Sequence, residues 1–134
     1  MSLERLAASD SPQQKRSPWR VPPVVVADHN EKLLNEAAEK LRGEGHNVLA
    51  VTCDVSDKAQ VAAMIDLAVK TYGRLDAAFN NAGINCKATP MAETDDEVFD
   101  RLININLRGA WNCMKGDFVR CWLRAAEPLL TVRP

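Results

Sequence analysis

The sequence has little excess charge and no long apolar run. Its 134 residues carry 17 lysines and arginines against 18 aspartates and glutamates, a formal net charge of −1 at pH 7. This balance disfavours a surface for nucleic acids, which would rest on Lys15, Arg16 and Arg20 alone. No apolar stretch approaches the length that crosses a bilayer, and no signal-peptide core follows the N-terminus. We therefore expect a cytoplasmic protein of one domain, with no membrane partner.

The cysteines also show no sequence pattern typical of metal binding. The four cysteines form no Cys-x-x-Cys pair and share no metal-ligand spacing with the two histidines. Consequently we expect no metal site. Reduced and mostly buried thiols are the better interpretation of Cys53, Cys86, Cys113 and Cys121.

Composition divides the chain into three segments. Residues 1–23 are polar, contain four prolines and show no helical or strand period, which predicts an irregular, flexible leader. Residues 24–115 alternate short β-branched runs, beginning with Val24, Val25 and Val26, with apolar residues at helical spacing. This alternation predicts an α/β fold with a doubly wound parallel sheet. Residues 116–134 form a tail outside this alternation.

Capping residues bound the predicted helices. Asn30 is placed to begin the first helix, Ser56 or Asp57 the second, and Gly73 ends the second. A capping box that starts at Thr94 opens the third. The helical spacing assigns six residues to the core: Leu33, Leu41, Val61, Met64, Phe99 and Leu102.

Acidic residues close the first two predicted strands. Ligands of a doubly wound sheet bind beyond the carboxyl ends of its strands. Asp28 closes the first strand, where a carboxylate can accept both ribose hydroxyls of an adenosine and repel the 2′-phosphate of NADP. Asp54 and Val55 close the second. Local turn or capping roles are the alternative at both strand ends.

Small and amide residues follow the third predicted strand: Asn80, Asn81, Ala82 and Gly83. Small residues let the backbone approach a ribose closely, and Asn can bond both chain and ligand. An Asn-rich turn is the alternative. That alternative does not explain Asn106, a poor helix former in a helix-forming stretch.

Residues 24–115 resemble the short-chain dehydrogenase/reductase family. The resemblance is carried by Asp28, by Asp54-Val55, by Leu75-Asp76-Ala77-Ala78-Phe79-Asn80-Asn81-Ala82-Gly83 and by Asn104-Ile105-Asn106-Leu107-Arg108-Gly109. It implies a Rossmann-like fold and NAD(P)-dependent alcohol oxidation or ketone reduction.

The resemblance also implies roles for individual residues. Asp28 marks a preference for NAD. Asp54 would accept from the adenine amino group, and the backbone of Val55 would meet the adenine ring. Asn106 would bend its helix and hold a water that relays protons to a catalytic lysine. Of the family's catalytic residues, this chain matches only Asn106.

Both ends depart from the family. No glycine-rich loop precedes Asp28, and the single tyrosine, Tyr72, is misplaced for catalysis. We expect the sheet to lack its first, central strand and the C-terminal half of the fold. Back-translated and read one base out of frame, both ends permit sequences similar to the family's cofactor loop and its approach to the catalytic serine. One hypothesis is therefore that residues 1–23 and 116–134 are out-of-frame translations. Alternatively, the tail is a helix with an apolar face: Trp111, Met114, Phe118, Cys121 and Trp122.

Two functions follow from these expectations. The first is an NAD-dependent oxidoreductase acting on a small alcohol or ketone. The second is a non-enzymatic fragment that binds NAD weakly or not at all, or that docks on an intact relative. Members of the family often assemble through the helix that contains Asn106, so a homo-oligomer is conceivable.

Overall fold

A four-stranded sheet with helices on both faces forms the centre of the structure. The computed structural model describes residues 4–7 and 22–130, and of residues 4–7 and 121–130 it describes the backbone alone. The strands are β1 (Glu4–Ala7), β2 (Val24–Asp28), β3 (Val48–Thr52) and β4 (Ala77–Phe79), in the order β3-β2-β1-β4. The helices are α1 (Glu31–Gly43), α2 (Lys58–Tyr72), a 3₁₀ turn (Met91–Glu93), α3 (Asp96–Leu102), a π-helical stretch (Ile103–Gly109) and α4 (Ala110–Leu130).

Strands β2 and β3 confirm the predicted α/β arrangement. They pair in parallel, from Val24 opposite Val48 to Asp28 opposite Thr52. Strand β2 is buried on both sides because Val26 packs with α1 and Val25 packs with α2 and α4. Burial on both faces explains why its sequence is an unbroken apolar run.

Strand β1 corrects the expectation of an empty central position. It also makes residues 4–7 of the predicted irregular leader a strand, while residues 1–3 and 8–21 of that leader lie outside the described residues. Its backbone lies between β2 and β4 and pairs antiparallel with both, with Arg5 opposite Val26 on one side and Phe79 on the other. The sheet is therefore mixed. Backbone hydrogen bonds do not depend on side-chain identity, so two adjacent strand edges can accept almost any extended segment. Four residues are also too few for a strand period to stand out in the sequence.

Helix boundaries follow the predicted caps in α1 and α2 but not in α3. The Asn30 side chain accepts from the N–H of Leu33, and Gly73 ends α2 in the left-handed region at φ 80°. Asp57, rather than Ser56, caps α2. The residue before α3 is Asp95, and its side chain makes no capping hydrogen bond.

The core lies along α1, α2 and the inner side of α4. Val61 and Met64 are buried as predicted, and Leu41 packs at the edge of the core. Phe99 was wrongly assigned to the core, because 59% of it is exposed on α3. The backbone of the tail is helical to Leu130, as the helical alternative predicts. Among the described residues, no helix combines the length and the apolar character needed to cross a membrane.

Candidate functional site

The carboxyl ends of β2 and β3 open onto a cavity of about 300 Å³. The loop after β4 and the π-helical stretch close its other sides. Its lining residues are Ala27, Asp28, His29, Cys53, Asp54, Val55, Ala82, Gly83, Ile84, Arg101 and Ile105. The cavity thus lies at the edge where a doubly wound sheet binds its ligands.

Asp28 is the most buried acid of this cavity, with 3% of its side chain exposed. Its Oδ1 accepts from the N–H of Asn30 at 2.8 Å and lies 3.2 Å from Nδ1 of His29. The carboxylate is therefore fixed in place by the loop that begins α1. The hydrogen bond from Asn30 uses Oδ1 and leaves Oδ2 to accept from a ligand hydroxyl.

Asp54 lines the cavity at the end of the neighbouring strand β3 and is exposed. Its Oδ1 accepts from the N–H and the hydroxyl of Ser56, at 2.9 and 2.7 Å. Its own N–H donates to Gln60 at 3.0 Å, which anchors the strand end to α2. The local turn role and the ligand role of this aspartate are compatible in this geometry.

Val55 connects the cavity to the helix behind it. It is buried, and its carbonyl accepts from Nδ2 of Asn112 at 3.0 Å. A Cβ at Gly109 would lie only 2.5 Å from Cγ2 of Val55. Glycine at position 109 is thus what allows the π-helical stretch to approach this wall of the cavity.

Asn106 ties the π-helical stretch to the loop after β4. Its Oδ1 accepts from the N–H of Ile84 at 2.8 Å, and its Nδ2 donates to the carbonyl of Ile84 at 2.9 Å. The irregular helix around it agrees with the predicted bend, because an inserted π turn lets this side chain reach the neighbouring loop. The water-relay role stays a prediction. A side chain at position 83 would crowd this contact, since a Cβ on Gly83 would lie 3.3 Å from Oδ1 of Asn106.

The structure brings five of the predicted cofactor-binding residues to one cavity and leaves two outside its lining. Asp28, Asp54, Val55, Ala82 and Gly83 line it, whereas Asn80 and Asn81 do not. The Nδ2 of Asn80 instead donates to Oδ2 of Asp117 on α4, at 3.0 Å.

Sequence reasoning missed two residues of functional interest, Arg101 and Asp117. Arg101 lies four residues before Ile105, one helical turn away on the same face, so helical spacing alone could have found it. Asp117 is buried on α4, and no local signal indicated that an acid in this helix would face inward. Burial raises the pKa of Asp117, and the hydrogen bond from Asn80 opposes part of that rise. Among the described residues, no group of His, Cys, Asp or Glu is arranged to hold a metal ion.

Residues 23–118 match the sequence model of the family described as enoyl-(acyl carrier protein) reductase. The chain belongs to the short-chain dehydrogenase/reductase family. It is 37% identical to tropinone reductase-like 3 of Erythroxylum coca over 65% of this chain and 34% of that protein. It is 41% identical to 3beta-hydroxysteroid dehydrogenase 2 of Eggerthella lenta over 62% of this chain and 32% of that protein. The chain therefore spans about a third of the length of these curated relatives.

Solved structures of short-chain dehydrogenases share its fold. An NAD+-bound xylitol dehydrogenase superposes with a TM-score of 0.73 at 27% identity, covering 75% of this chain and 38% of that one. A gluconate 5-dehydrogenase from Burkholderia cenocepacia, solved with NADP and tartrate, gives 0.67 at 31% identity, covering 75% and 39%. The superpositions support a Rossmann-like fold and a nicotinamide cofactor for the family members.

Proposed function

We propose that residues 24–115 form the adenosine-binding half of the cofactor site of an oxidoreductase that interconverts small alcohols and ketones. The observation that carries this proposal is the buried carboxylate of Asp28 at the mouth of the strand-end cavity. Its open Oδ2 can accept from a ribose hydroxyl. Asp54 can accept from the adenine amino group, while Val55, Ala82 and Ile105 offer apolar contact to the purine.

The same carboxylate favours NAD over NADP. A 2′-phosphate would bring about two negative charges next to a buried anion whose neighbouring imidazole, His29, is 75% exposed. An exposed imidazole in water compensates such a repulsion poorly. The discrimination is therefore expected to rest on Asp28.

The cavity offers fewer binding groups to the pyrophosphate of NAD than to its adenosine. In a doubly wound sheet, it lies at the start of the helix that follows the central strand. Here the central strand β1 begins at the cavity edge, with Glu4 opposite Ala27, and runs away from it, so that Ala7 lies opposite Val24. The carboxyl end of β1 therefore lies away from the cavity.

We therefore infer weak NAD binding and no hydride transfer by this chain. Bound NAD would supply the hydride acceptor of the reaction. The chain itself would hold the adenosine, and Asn106 would fix the wall of the site through Ile84.

Titration calorimetry with NAD, NADP and ADP tests this proposal. We expect ADP to bind about as tightly as NAD, because both present the same adenosine, and NADP to bind more weakly. In Asp28→Asn the affinity for NAD and ADP should fall about 10-fold or more, the value of a hydrogen bond to a charged group. Glu36→Gln, on the exposed side of α1, is the matched control and should leave binding unchanged. Equal affinities of the Asp28→Asn variant and the parent chain would refute the role of Asp28.

A second candidate function, favoured by the outer face of α4, is a non-catalytic subunit that docks on an intact relative or on itself. Trp111, Met114 and Phe118 are all more than half exposed. Sedimentation at rising concentration should then reveal a dimer, and a monomer across the whole range would count against this candidate.

The out-of-frame hypothesis for residues 1–23 and 116–134 has its own test, which is resequencing of the gene and transcript around Pro23 and Gly116. One continuous frame would give a full-length NAD-dependent reductase. Confirmed shifts would leave a truncated relative.

A further inference from the structure

Asp117 is a buried acid on α4, a helix on which Trp111, Met114 and Phe118 are exposed. Only 8% of it is accessible, whereas Phe118, its neighbour in sequence, is 70% exposed. Its partner is Asn80, the residue that follows β4, and their contact joins positions 37 residues apart in the sequence. The pair therefore connects α4 to the segment of residues 80–83, whose Ala82 and Gly83 line the strand-end cavity.

One hydrogen bond joins the two side chains, and it involves only one of the two oxygens of Asp117 and not the amide oxygen of Asn80. The amide of Asn80 donates from Nδ2 to Oδ2 of Asp117 at 3.0 Å. Oδ1 of Asn80 and Oδ1 of Asp117 are both buried, and neither has a hydrogen-bond partner in the part of the chain that the structure describes. An ionised carboxylate can only accept, so it cannot satisfy the amide oxygen, and an unsatisfied buried acceptor costs free energy.

One proton would remove this mismatch. A protonated carboxyl group carries a donor on one oxygen and an acceptor on the other, which is the complement of a primary amide. With the proton on Oδ1 of Asp117, the acid can donate to Oδ1 of Asn80 while it accepts from Nδ2.

We propose that Asp117 is protonated in the folded chain and forms a reciprocal acid–amide pair with Asn80 that fastens α4 to the end of β4. Asp117 is a positioning residue, because it reaches the cavity only through Asn80 and the segment that follows it. The pair makes this contact dependent on pH.

The charged side chains on the elements packed against α4 border a groove that does not include the pair. The charged side chains where α2 and the π-helical stretch face α4 are Lys58, Asp66 and Arg108, with Lys115 and Arg120 on α4 itself. They border a separate groove that Asp117 does not line, and Asp66 is paired with Arg120. Strand β4 contributes no charged residue, and the buried thiol one turn before Asp117 is Cys113. The two influences on the pKa of Asp117 are its burial, which raises it, and the bond from Asn80.

The sign of the pH dependence follows from the raised pKa. A carboxyl group with a raised pKa in the folded state contributes its full stabilisation below the ordinary value of 3.8, and this contribution is lost as pH rises through the folded pKa. The contact between α4 and β4 should therefore weaken towards alkaline pH.

The first test is an NMR titration of the aspartate side-chain carboxyl carbons in the full chain. We expect Asp117 to titrate above the ordinary value of 3.8. Titration of Asp117 at or below that value would overturn the proposal. This measurement needs no substitution and no nucleotide, so its outcome is independent of the proposed adenosine site.

The second test uses Asp117→Asn, which supplies the missing donor at every pH. We expect the melting temperature of the parent chain to fall relative to this variant, by a few degrees, as pH rises through the folded pKa of Asp117. Asp66→Asn, on the neighbouring helix, is the control and should follow the parent. In the double variant Asn80→Asp with Asp117→Asn, the pair is reversed and the pH dependence should return. Parallel melting curves for the parent and Asp117→Asn would overturn the proposal.

Discussion

Helices α2 and α4 pack against the same region of the core but differ in the side chains that they expose. Helix α2 buries apolar residues, among them Val61 and Met64, and points most of its polar residues outward. Helix α4 buries Asp117 and exposes Trp111 and Phe118. Both segments form helices, so local helix-forming capacity alone does not separate them.

The difference shows that backbone structure and side-chain burial are separate outcomes of a sequence. In α2 the apolar positions coincide with the face that meets the sheet, as expected of an amphipathic helix. Helix α4 places Cys113 in the core and is also held by Gly109, Asn112 and the pair between Asp117 and Asn80. Its residues Trp111, Met114 and Phe118 are exposed. Over residues 110–120, specific polar and close contacts therefore hold α4 alongside the single buried thiol of Cys113.

One pair of identical substitutions tests the comparison most strongly. Met64→Ala in α2 removes a side chain that is 1% exposed and should lower the free energy of unfolding by about 2–5 kcal/mol. Met114→Ala in α4 removes one that is 51% exposed and should change it by less than about 0.5 kcal/mol. Urea unfolding measures both. Equal losses would show that the outer face of α4 is covered in solution.

Substitution of Gly109 tests how closely the π-helical stretch packs against the cavity wall. In Gly109→Ala the new methyl group would meet Val55 at 2.5 Å, and the strain should cost about 1–3 kcal/mol. Gly43→Ala is the matched control, because a Cβ at that position meets nothing within 4 Å. The control should be neutral or more stable by up to about 1 kcal/mol. Similar stabilities of the two variants in urea unfolding would argue against this tight contact.

Substitution of Asn106 tests the hydrogen bonds between the π-helical stretch and the loop after β4. Asn106→Ala deletes both hydrogen bonds to the backbone of Ile84 and should cost about 1–2 kcal/mol. Hydrogen exchange of the Ile84 amide should become faster in this variant. Asn104→Ala removes an exposed amide from the same stretch and should leave that exchange unchanged. Unchanged exchange in both variants would contradict the described geometry.

The smallest effect is expected at the cap of α2. The N–H groups of Ala59 and Gln60 lower the pKa of Asp57, with a further contribution from the Gln60 side chain. This stabilisation is present above the ordinary value of 3.8 and is lost as pH falls through the lower folded pKa. Asp57→Asn keeps a capping oxygen without ionising, so its melting temperature should depend less on pH below that value. An unchanged acid dependence would exclude this cap as its source.

Sequence patterns predicted the parts of the fold in which local and global preferences agree. Asn30, Gly73 and the apolar run of β2 carry strong local signals, and the structure uses them as expected. The cavity followed from Asp28 and Asp54, because the ends of neighbouring parallel strands lie together.

The rest of the structure depends on contacts between distant residues. Strand β1 forms between the open edges of β2 and β4, and no four-residue sequence pattern encodes that position. Asn80 was predicted to face a ligand, but Asp117, 37 positions later, takes its amide. Phe99 has helical spacing typical of a core residue, yet no described element covers it.

The position of β1 has a consequence for the order of folding. Its backbone pairs with β4, whose residues lie about 70 positions further along the chain. Contacts between β2, α1, β3 and α2 close much shorter loops, so we expect them to form earlier. The central strand would then insert last, between two strands that are already in place. Until it does, β2 and β4 expose open edges to other chains, and the yield of folded protein should fall as the concentration during refolding rises.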